Sequence, residues 1–268
     1  MDPIRIAVSG AGGRMGRAAV RAIAREPDLR MVAALGHERG VGQDAGEVAG
    51  AGPLGVAIAA DFAEVLAGKP DILVEFAPGR AAAEHARAAL EADVRPVVGS
   101  TGLSMEEIGA LTALAAQRRI GGVIAPNFAI GAVLMMEFAR TAARFLPHAE
   151  IIELHHDRKR DAPSGTALKT ARLIAGARGD PPAPAVKEEE MVSGARGGTS
   201  DGVRVHSVRL PGLVAHQEVI FGGPGQTLTI RHDSLNEESF MPGLLLAIRR
   251  VRDLQELVYG LEHLLALR

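Results

Sequence analysis

The sequence contains no cysteine and no tryptophan among its 268 residues, and aromatic side chains make up only 3% of it. Without cysteine the chain can form no disulfide and no zinc–thiolate site, and it cannot use a thiol nucleophile to form an acyl-enzyme. The shortage of aromatic side chains means that the core must be built from Ala, Val, Leu and Ile. A reducing compartment agrees with this composition, and we expect a cytoplasmic protein.

Long apolar runs and an excess of charge of one sign are also missing. No stretch approaches the roughly 18 uninterrupted apolar residues of a membrane span. The first apolar run, residues 4–8, is too short for a signal peptide. The net charge is −2 with acidic and basic side chains mixed, so nothing favours a nucleic-acid or membrane partner. With 47% hydrophobic residues, the length permits one large domain or two of modest size.

Glycine, by contrast, is abundant, and several glycines crowd the end of the first predicted strand. Residues 4–8 lead directly into Gly10-Ala11-Gly12-Gly13-Arg14-Met15-Gly16, and a helical pattern follows. Strand, glycine-rich turn and helix in that order predict a loop that binds a dinucleotide, because glycines let the backbone approach a pyrophosphate at the helix N-terminus. The spacing is not the usual Gly-x-Gly-x-x-Gly. A flexible surface turn is the alternative, but it does not account for four glycines at one strand end.

The second predicted strand, residues 31–35, ends in Gly36-His37-Glu38-Arg39. An acidic residue about 20 positions past the glycines usually binds the ribose 2′-hydroxyl, and Glu38 is the candidate. Arg39 is one alternative, since it could meet a 2′-phosphate instead, and His37 is another candidate for the ribose contact. Plain loop charges remain an open interpretation of all three.

The alternation of strands and helices then continues to about residue 126. Strands are predicted at 56–59, 72–76, 96–98 and 122–125, with Asp61 and the Ser104–Glu107 capping box opening helices between them. This alternation predicts a doubly wound parallel (Rossmann) sheet. Ligands of such sheets bind at the carboxyl ends of the strands. The loops at those ends are residues 10–16, 38–39, 99–101 and 125–128.

From residue 127 the pattern changes, and we expect a second, α+β domain over 127–238 that binds substrate and forms the oligomer. A long helix at 131–145 is followed by a strand, a helix at 166–175, and three strands at 203–210, 215–221 and 227–233, which suggest an antiparallel, meander-like sheet. Two closing helices, at 239–251 and 254–266, should pack back onto the first domain, residues 1–126. The predicted fold class is therefore α/β, with a largely antiparallel or mixed sheet in the second domain.

The most informative stretch is residues 150–170. An apolar strand at 151–154 delivers His155 and His156, a cationic loop holds Lys159, and Ser164-Gly165-Thr166 opens a helix. Together they favour a site that holds an anion beside proton-transfer groups, although a solvated basic loop is the alternative. Both histidines can face one ligand only if the strand ends there. A metal site is disfavoured, because adjacent ligands splay apart.

Four motifs resemble those of the 4-hydroxy-tetrahydrodipicolinate reductases, also called dihydrodipicolinate reductases. They are residues 10–17, Gly-Ser-Thr-Gly at 99–102, Ala-Pro-Asn-Phe at 125–128 and His-His-Asp-Arg-Lys-Arg-Asp-Ala-Pro-Ser-Gly-Thr-Ala at 155–167. The resemblance implies that NADPH or NADH reduces a cyclic imine dicarboxylate in the diaminopimelate route to lysine. It also implies a homotetramer that assembles through the sheets of the second domains.

The resemblance further implies the role of each site residue. His155 is the general acid/base and Lys159 the proton donor, while His156, Gly165 and Thr166 bind substrate; the backbone N–H groups from Ser164 onward also suit a carboxylate. The implied cofactor contacts are Gly10, Ala11, Gly12, Gly13, Arg14, Met15, Glu38, Arg39, Gly99, Ser100, Thr101, Ala125, Pro126, Asn127 and Phe128. The alternatives are another two-domain nicotinamide oxidoreductase and a non-catalytic dinucleotide-binding sensor, which would have no use for Lys159.

Overall fold

A computed structural model describes residues 2–100, 102–180, 186 and 189–267. The chain divides into two compact units, which are Met1–Phe128 with Glu237–Arg268, and Ala129–Asn236. The domain limits expected from the sequence, 126/127 and 238/239, lie two residues from these. The second unit is thus inserted into the sequence of the first.

The first unit is built on a seven-stranded sheet in the order β12-β6-β5-β4-β1-β2-β3. All of its strand pairs are parallel, which confirms the predicted Rossmann sheet. The strand order reverses between β1 and β4, and ligands of open α/β sheets bind at such a point. The strands are β1 (Ile4–Ser9), β2 (Leu29–Leu35), β3 (Ile58–Ala59), β4 (Ile72–Glu75), β5 (Arg95–Val98), β6 (Gly122–Ile124) and β12 (Leu257–Tyr259).

Polar side chains cap the start of some helices in the first unit, at Asp44, Asp61 and Ser104. Asp61 accepts from the N–H of Ala63, and Ser104 with Glu107 forms the predicted capping box. No helix in the described residues is long and apolar enough to cross a membrane. The helices are α1 (Arg14–Ala24), α2 (Ala45–Ala49), α3 (Phe62–Ala67), α4 (Arg80–Glu91), α5 (Met105–Arg118) and α8 (Met241–Arg250).

The prediction of a helix at residues 254–266 is wrong. Residues Leu257–Tyr259 instead form β12, which pairs with β6 at the edge of the parallel sheet, and only Leu261–Leu264 form a 3-10 turn. Gly260, at φ +115°, separates the two pieces with a backbone conformation that a continuous helix does not allow. The buried leucines Leu257, Leu261 and Leu264 are spaced four and three residues apart, which is the spacing of one helix face. In the structure, however, they belong to two different elements, β12 and the 3-10 turn.

The second unit has a five-stranded mixed sheet in the order β11-β10-β7-β9-β8. The mixed character is as predicted, but the meander is wrong, because β7 lies between β9 and β10 and pairs in parallel with β9. Helices α6 and α7 pack against each other and cover one face of this sheet. The elements are α6 (Ile130–Ala143), β7 (His148–His155), α7 (Gly165–Arg178), β8 (Gly198–Ser200), β9 (Val203–Arg209), β10 (Ala215–Gly223) and β11 (Gln226–Ser234).

The helix-covered face of this sheet changes from apolar to polar along β7. The row through Ile151 pairs aliphatic residues across the sheet, namely Val205, Val219 and Ile230. Two residues further along β7, the row through Glu153 pairs Ser207, Gln217 and His232. Because side chains two residues apart share a face, both rows lie on the same side. The hydrophobic core therefore gives way to polar groups towards the end of β7 that carries His155.

Candidate functional site

A cavity of 650 Å³ opens in the first unit at the carboxyl ends of β1, β2, β3 and β4. Five of the predicted cofactor residues line it, which are Gly10, Gly12, Gly13, Glu38 and Arg39. The other lining residues are Ser9, Leu35, Gly36, His37, Ala60, Phe76, Ala77, Pro78, Ala81 and His85. The cavity thus lies where the strand order of the sheet reverses.

Close backbone contacts explain the unusual glycine spacing. Gly10 adopts φ +75°, a left-handed conformation that favours glycine. A Cβ on Gly12 would overlap the carbonyl oxygen of Arg39, and one on Gly16 would overlap the carbonyl oxygen of Gly10. Gly12 therefore lets the first loop touch the loop after β2, while Gly16 lets α1 approach the end of β1.

The start of α1 offers backbone N–H groups to an anion. Gly13 is its N-cap and has no side chain that could occupy these donors. The N–H of Ala11 is already used, since it donates to the carbonyl of Leu35 at 2.9 Å. Arg14 points its largely exposed guanidinium at Glu237, 3.1 Å away. The N–H of Gly13 is used as well, since it donates to the carbonyl of Gly10 at 2.9 Å, so the N–H groups that α1 offers to an anion begin with Arg14, the first residue of the helix.

The predicted contacts after β5 and β6 meet around two phenyl rings. Phe76 and Phe128 stand edge to face with ring centroids 6.4 Å apart, and a Cβ on Gly99 would overlap the ring of Phe76. Ser100 is buried and donates its hydroxyl to the carbonyl of Glu75 at 3.2 Å. Ala125 and Phe128 are buried, whereas Pro126 is exposed and Asn127 half-buried. Thr101 lies outside the described residues.

The loop after β2 leaves its charged groups exposed at the cavity. The side chains of His37 and Glu38 are 96% and 85% exposed, with 3.7 Å between the imidazole and the carboxylate. Arg39 is exposed too, while its carbonyl faces Gly12. Both Glu38 and Arg39 are therefore free to meet a ribose.

Sequence reasoning missed His85 and Glu75 beside this cavity. Glu75 is fully buried at the end of β4 and lies 2.9 Å from His85 Nδ1, and the imidazole stacks on Phe62 at 4.4 Å. A signal was available, because Glu75 ends an otherwise apolar buried strand. A carboxylate in such a place requires a partner, and the histidine lies ten residues on.

In the second unit, β7 ends at His155, as the paired histidines required. His155 Nδ1 contacts Glu153 Oε2, and Glu153 is fully buried. Arg209 holds the same carboxylate through both terminal nitrogens, at 2.7 and 3.0 Å. Burial raises the pKa of Glu153, but hydrogen bonds from His155, Arg209 and Ser207 outweigh it and lower the pKa to about 2. The strand end therefore presents an imidazole backed by a carboxylate that stays ionised.

Lys159 is fixed by its neighbour in the loop. Its ammonium lies 2.8 Å from both carboxylate oxygens of Asp161, and the lysine side chain is 21% exposed. The hydrogen bond from Lys159 lowers the pKa of the Asp161 carboxyl group. Arg209 donates to the backbone carbonyl of Asp161 at 2.7 Å. The same arginine thus contacts both the carboxylate behind His155 and the segment that holds Lys159.

The start of α7 carries the predicted anion-binding residues. Ser164 is buried and caps the helix by accepting from the N–H of Ala167 at 3.2 Å, so its hydroxyl holds the backbone in place. Gly165 is exposed, with open space where a Cβ would stand, and Thr166 is half-buried. The Nδ1 of His156 is buried without a hydrogen-bond partner among the described residues. Within that part of the chain, no cluster of His, Asp and Glu could hold a metal ion.

Comparison with known proteins gives matches over nearly the whole chain. Residues 4–128 match the family model of the dihydrodipicolinate reductase N-terminus, and residues 131–265 match that of its C-terminus. The 4-hydroxy-tetrahydrodipicolinate reductase of Moorella thermoacetica is 54% identical over 263 residues, which cover 98% of each chain. The enzyme of the same name from Geobacillus kaustophilus is 54% identical over 266 residues, covering 98% of this chain and 99% of the relative.

A solved structure agrees with these matches. The dipicolinate-bound dihydrodipicolinate reductase from Paenisporosarcina sp. TG-14 superposes with a TM-score of 0.86 and is 43% identical. The alignment covers 98% of this chain and 100% of that one. The fold and the sequence therefore point to one group of proteins.

Proposed function

The chain belongs to the dihydrodipicolinate reductase family, and we propose that it reduces 4-hydroxy-tetrahydrodipicolinate to tetrahydrodipicolinate in the diaminopimelate route of lysine biosynthesis. The observation that carries this proposal is the match along almost the full length to reductases of that name, at 54% identity. The chain is accordingly an oxidoreductase.

A nicotinamide dinucleotide, NADPH or NADH, fits the cavity of the first unit. Gly10 adopts a left-handed conformation, and Gly12 and Gly16 stand where a Cβ would clash with the backbone. These glycines form a loop that a pyrophosphate can approach, and the start of α1 supplies N–H donors to its charge. Glu38 or Arg39 would hold the adenosine ribose, and residues 99–101 and 125–128 the nicotinamide half. When bound, the cofactor supplies the hydride.

The proton-handling groups come from the end of β7 and the loop after it. Reduction of a conjugated imine leaves negative charge that a proton must neutralise, and the ammonium of Lys159 is a cationic donor. Its charge also offsets that of the substrate carboxylates. His155, whose Nδ1 is engaged by Glu153, acts as acid or base through Nε2.

The substrate carboxylates would be held at the start of α7. The N–H groups of Gly165 and Thr166 lie at a helix N-terminus, where negative charge is favoured, and the Cβ-free Gly165 leaves room for the ligand. His156, whose buried Nδ1 has no hydrogen-bond partner within the described part of the chain, would be the second contact. The relative from Paenisporosarcina, described as bound to dipicolinate, supports a dicarboxylate as ligand. A homotetramer and a cytoplasmic location remain predictions.

A coupled assay tests the proposal. The freshly formed product of dihydrodipicolinate synthase is added with NADPH or NADH, and the loss of nicotinamide absorbance is followed. We expect substrate-dependent consumption with at least one cofactor. Binding of either cofactor without any consumption would contradict the reductase and favour a dinucleotide-binding sensor.

A further inference from the structure

We propose that Glu153 and Arg209 are positioning residues, which hold His155 in the tautomer that carries its proton on Nδ1 and connect this imidazole to the loop of Lys159. The inference rests on the proposed function, because it concerns how the two proton-handling side chains are oriented. Neither Glu153 nor Arg209 touches the substrate in this scheme; each acts through a neighbour.

The first support is the location of Glu153. Its side chain is fully buried on the helix-covered face of the sheet, where the preceding row is aliphatic. An ionised carboxylate is expensive to bury, and it persists only when its oxygens are fully engaged. Here both oxygens are engaged, by Arg209 through two nitrogens and by the imidazole of His155.

The second support is the chemistry of the imidazole. A neutral histidine has one nitrogen that donates and one that accepts, and the partner of one nitrogen fixes the role of the other. Because ionised Glu153 can only accept, Nδ1 of His155 must carry a proton. The Nε2 is then the nitrogen that takes up or gives up a proton.

The third support is the double engagement of Arg209. Its guanidinium binds Glu153 and, through Nη2, donates to the Asp161 carbonyl at 2.7 Å. The carboxylate of Asp161 in turn holds the ammonium of Lys159 at 2.8 Å. The guanidinium of Arg209 thus connects Glu153, which binds His155, to Asp161, which binds Lys159.

A buried ion pair could equally be a purely structural element, and the same strand offers a matched control. Glu150 also pairs with an arginine and a histidine, Arg196 at 2.5 Å and His206 at 2.7 Å. It lies three residues from Glu153, and hence on the opposite face of β7. Glu150→Gln removes the same charge from the same strand without touching His155.

The first experiment compares Glu153→Gln, His155→Ala and the double variant in the coupled assay. We expect Glu153→Gln to lower kcat roughly 10- to 100-fold, with KM for the cofactor unchanged, while Glu150→Gln stays within about twofold of the wild type. When His155 is already alanine, adding Glu153→Gln should lower kcat by less than about a further twofold, since the partner of Glu153 is already absent. Equal losses in both backgrounds, or an equal loss in Glu150→Gln, would overturn the inference.

The second experiment measures the tautomer in the wild type, and a variant serves only to assign the signals. Long-range ¹H–¹⁵N NMR correlations distinguish the two neutral tautomers of a histidine, and the signals of His155 are assigned by their loss in His155→Ala. The proton is expected on Nδ1. A neutral His155 that carries its proton on Nε2 would overturn the inference even in an active enzyme. Conversely, an Nδ1 tautomer in a protein that never consumes cofactor would overturn the proposed function alone.

Discussion

The loop between β7 and α7 contains several cations, and single residues within it differ sharply in their surroundings. Lys159 is half-buried and held by Asp161, whereas Arg158 and Arg160 are exposed. A proton donor must be held in one position relative to its acceptor, while a solvated charge need not be. The exposure of these neighbours therefore separates one candidate donor from two ordinary surface charges.

Lys159→Ala and His155→Ala should each lower kcat by roughly a hundredfold or more, because each removes a group that transfers a proton. Affinity for the cofactor should barely change. Steady-state kinetics together with a cofactor titration measure both quantities, and Arg160→Ala is the matched control. If turnover were unchanged in both variants, the catalytic assignment would be wrong.

The two candidate ribose contacts, Glu38 and Arg39, lead to opposite predictions about cofactor preference. If Glu38 accepts from the ribose hydroxyls, Glu38→Gln should weaken NADH binding by about tenfold, since hydrogen bonds to charged groups contribute roughly 1.5–3 kcal/mol. Glu64→Gln, at an exposed glutamate of α3 that does not line the cavity, should leave it unaffected. Titrations follow the fluorescence of the bound nicotinamide. A strong preference for NADPH that disappears in Arg39→Ala but persists in Glu38→Gln would assign the ribose to Arg39 instead.

Glu153 should also make the stability of the fold depend on pH. Its pKa is about 2 in the folded chain, well below that of an unfolded glutamate, so its carboxylate binds protons less readily when folded. The stabilisation is therefore present above roughly pH 5 and is lost as the pH falls towards 2. Urea unfolding at pH 7 and pH 3 should show a larger loss in the wild type than in Glu153→Gln. Parallel losses in the two proteins would argue against an ionised, paired Glu153.

At the scale of elements, the glycine loop and the loop after β2 form one assembly. Gly12 faces the carbonyl of Arg39 so closely that no side chain fits between them. The sequence indicated that both loops contact the cofactor, since each follows a predicted strand. Their contact with each other could not be predicted, because it depends on how two loops that are more than 20 residues apart in sequence are placed in space.

Gly12→Ala should therefore weaken cofactor binding about tenfold or more, because the added methyl group must push the two loops apart. Gly109→Ala is the control, since Gly109 lies exposed within α5 and has open space around it. That substitution should instead raise the free energy of unfolding by about 0.5–1 kcal/mol, because alanine favours a helix. Cofactor titration and thermal unfolding of both variants check this. Unchanged affinity in Gly12→Ala would show that the loops can separate without consequence.

The errors in predicting the elements from sequence have one cause, which is strand pairing between segments that are distant in the chain. The capping box at Ser104 and the strand at Ile72–Glu75 were predictable because their signals are local. The pairing of β12 with β6, and the insertion of β7 between β9 and β10, join segments far apart in sequence. The site shows the same contrast, since the histidine pair was evident locally, while Arg209 is more than 50 residues from Glu153.

At the scale of the whole molecule, the second unit has a sheet face that its helices do not cover. Side chains on the face opposite α6 and α7 include the half-buried Ile152, Leu154, Val208 and Ile220. Apolar side chains grouped on a face of this kind are typical of an interface between subunits. This arrangement supports the predicted homotetramer.

Ile220→Glu should shift the assembly towards dimers or monomers, because it places a charge in the predicted interface. Light scattering coupled to size-exclusion chromatography measures the mass of the wild type and the variant. Met105→Glu is the control, since Met105 is 77% exposed on the first unit. A wild-type monomer, or an equal change in both variants, would contradict assembly through this face.

The position of β12 also has a consequence for how the protein is made. Ribosomes synthesise chains from the N-terminus, so the residues of the second unit, 129–236, emerge before the strand that completes the first sheet. Until residues 257–259 leave the exit tunnel, the edge of β6 has no partner, and open strand edges invite association between chains. The nascent chain therefore keeps an open sheet edge until β12 has emerged and paired with β6, and a chain interrupted before residue 257 would be prone to associate with other chains.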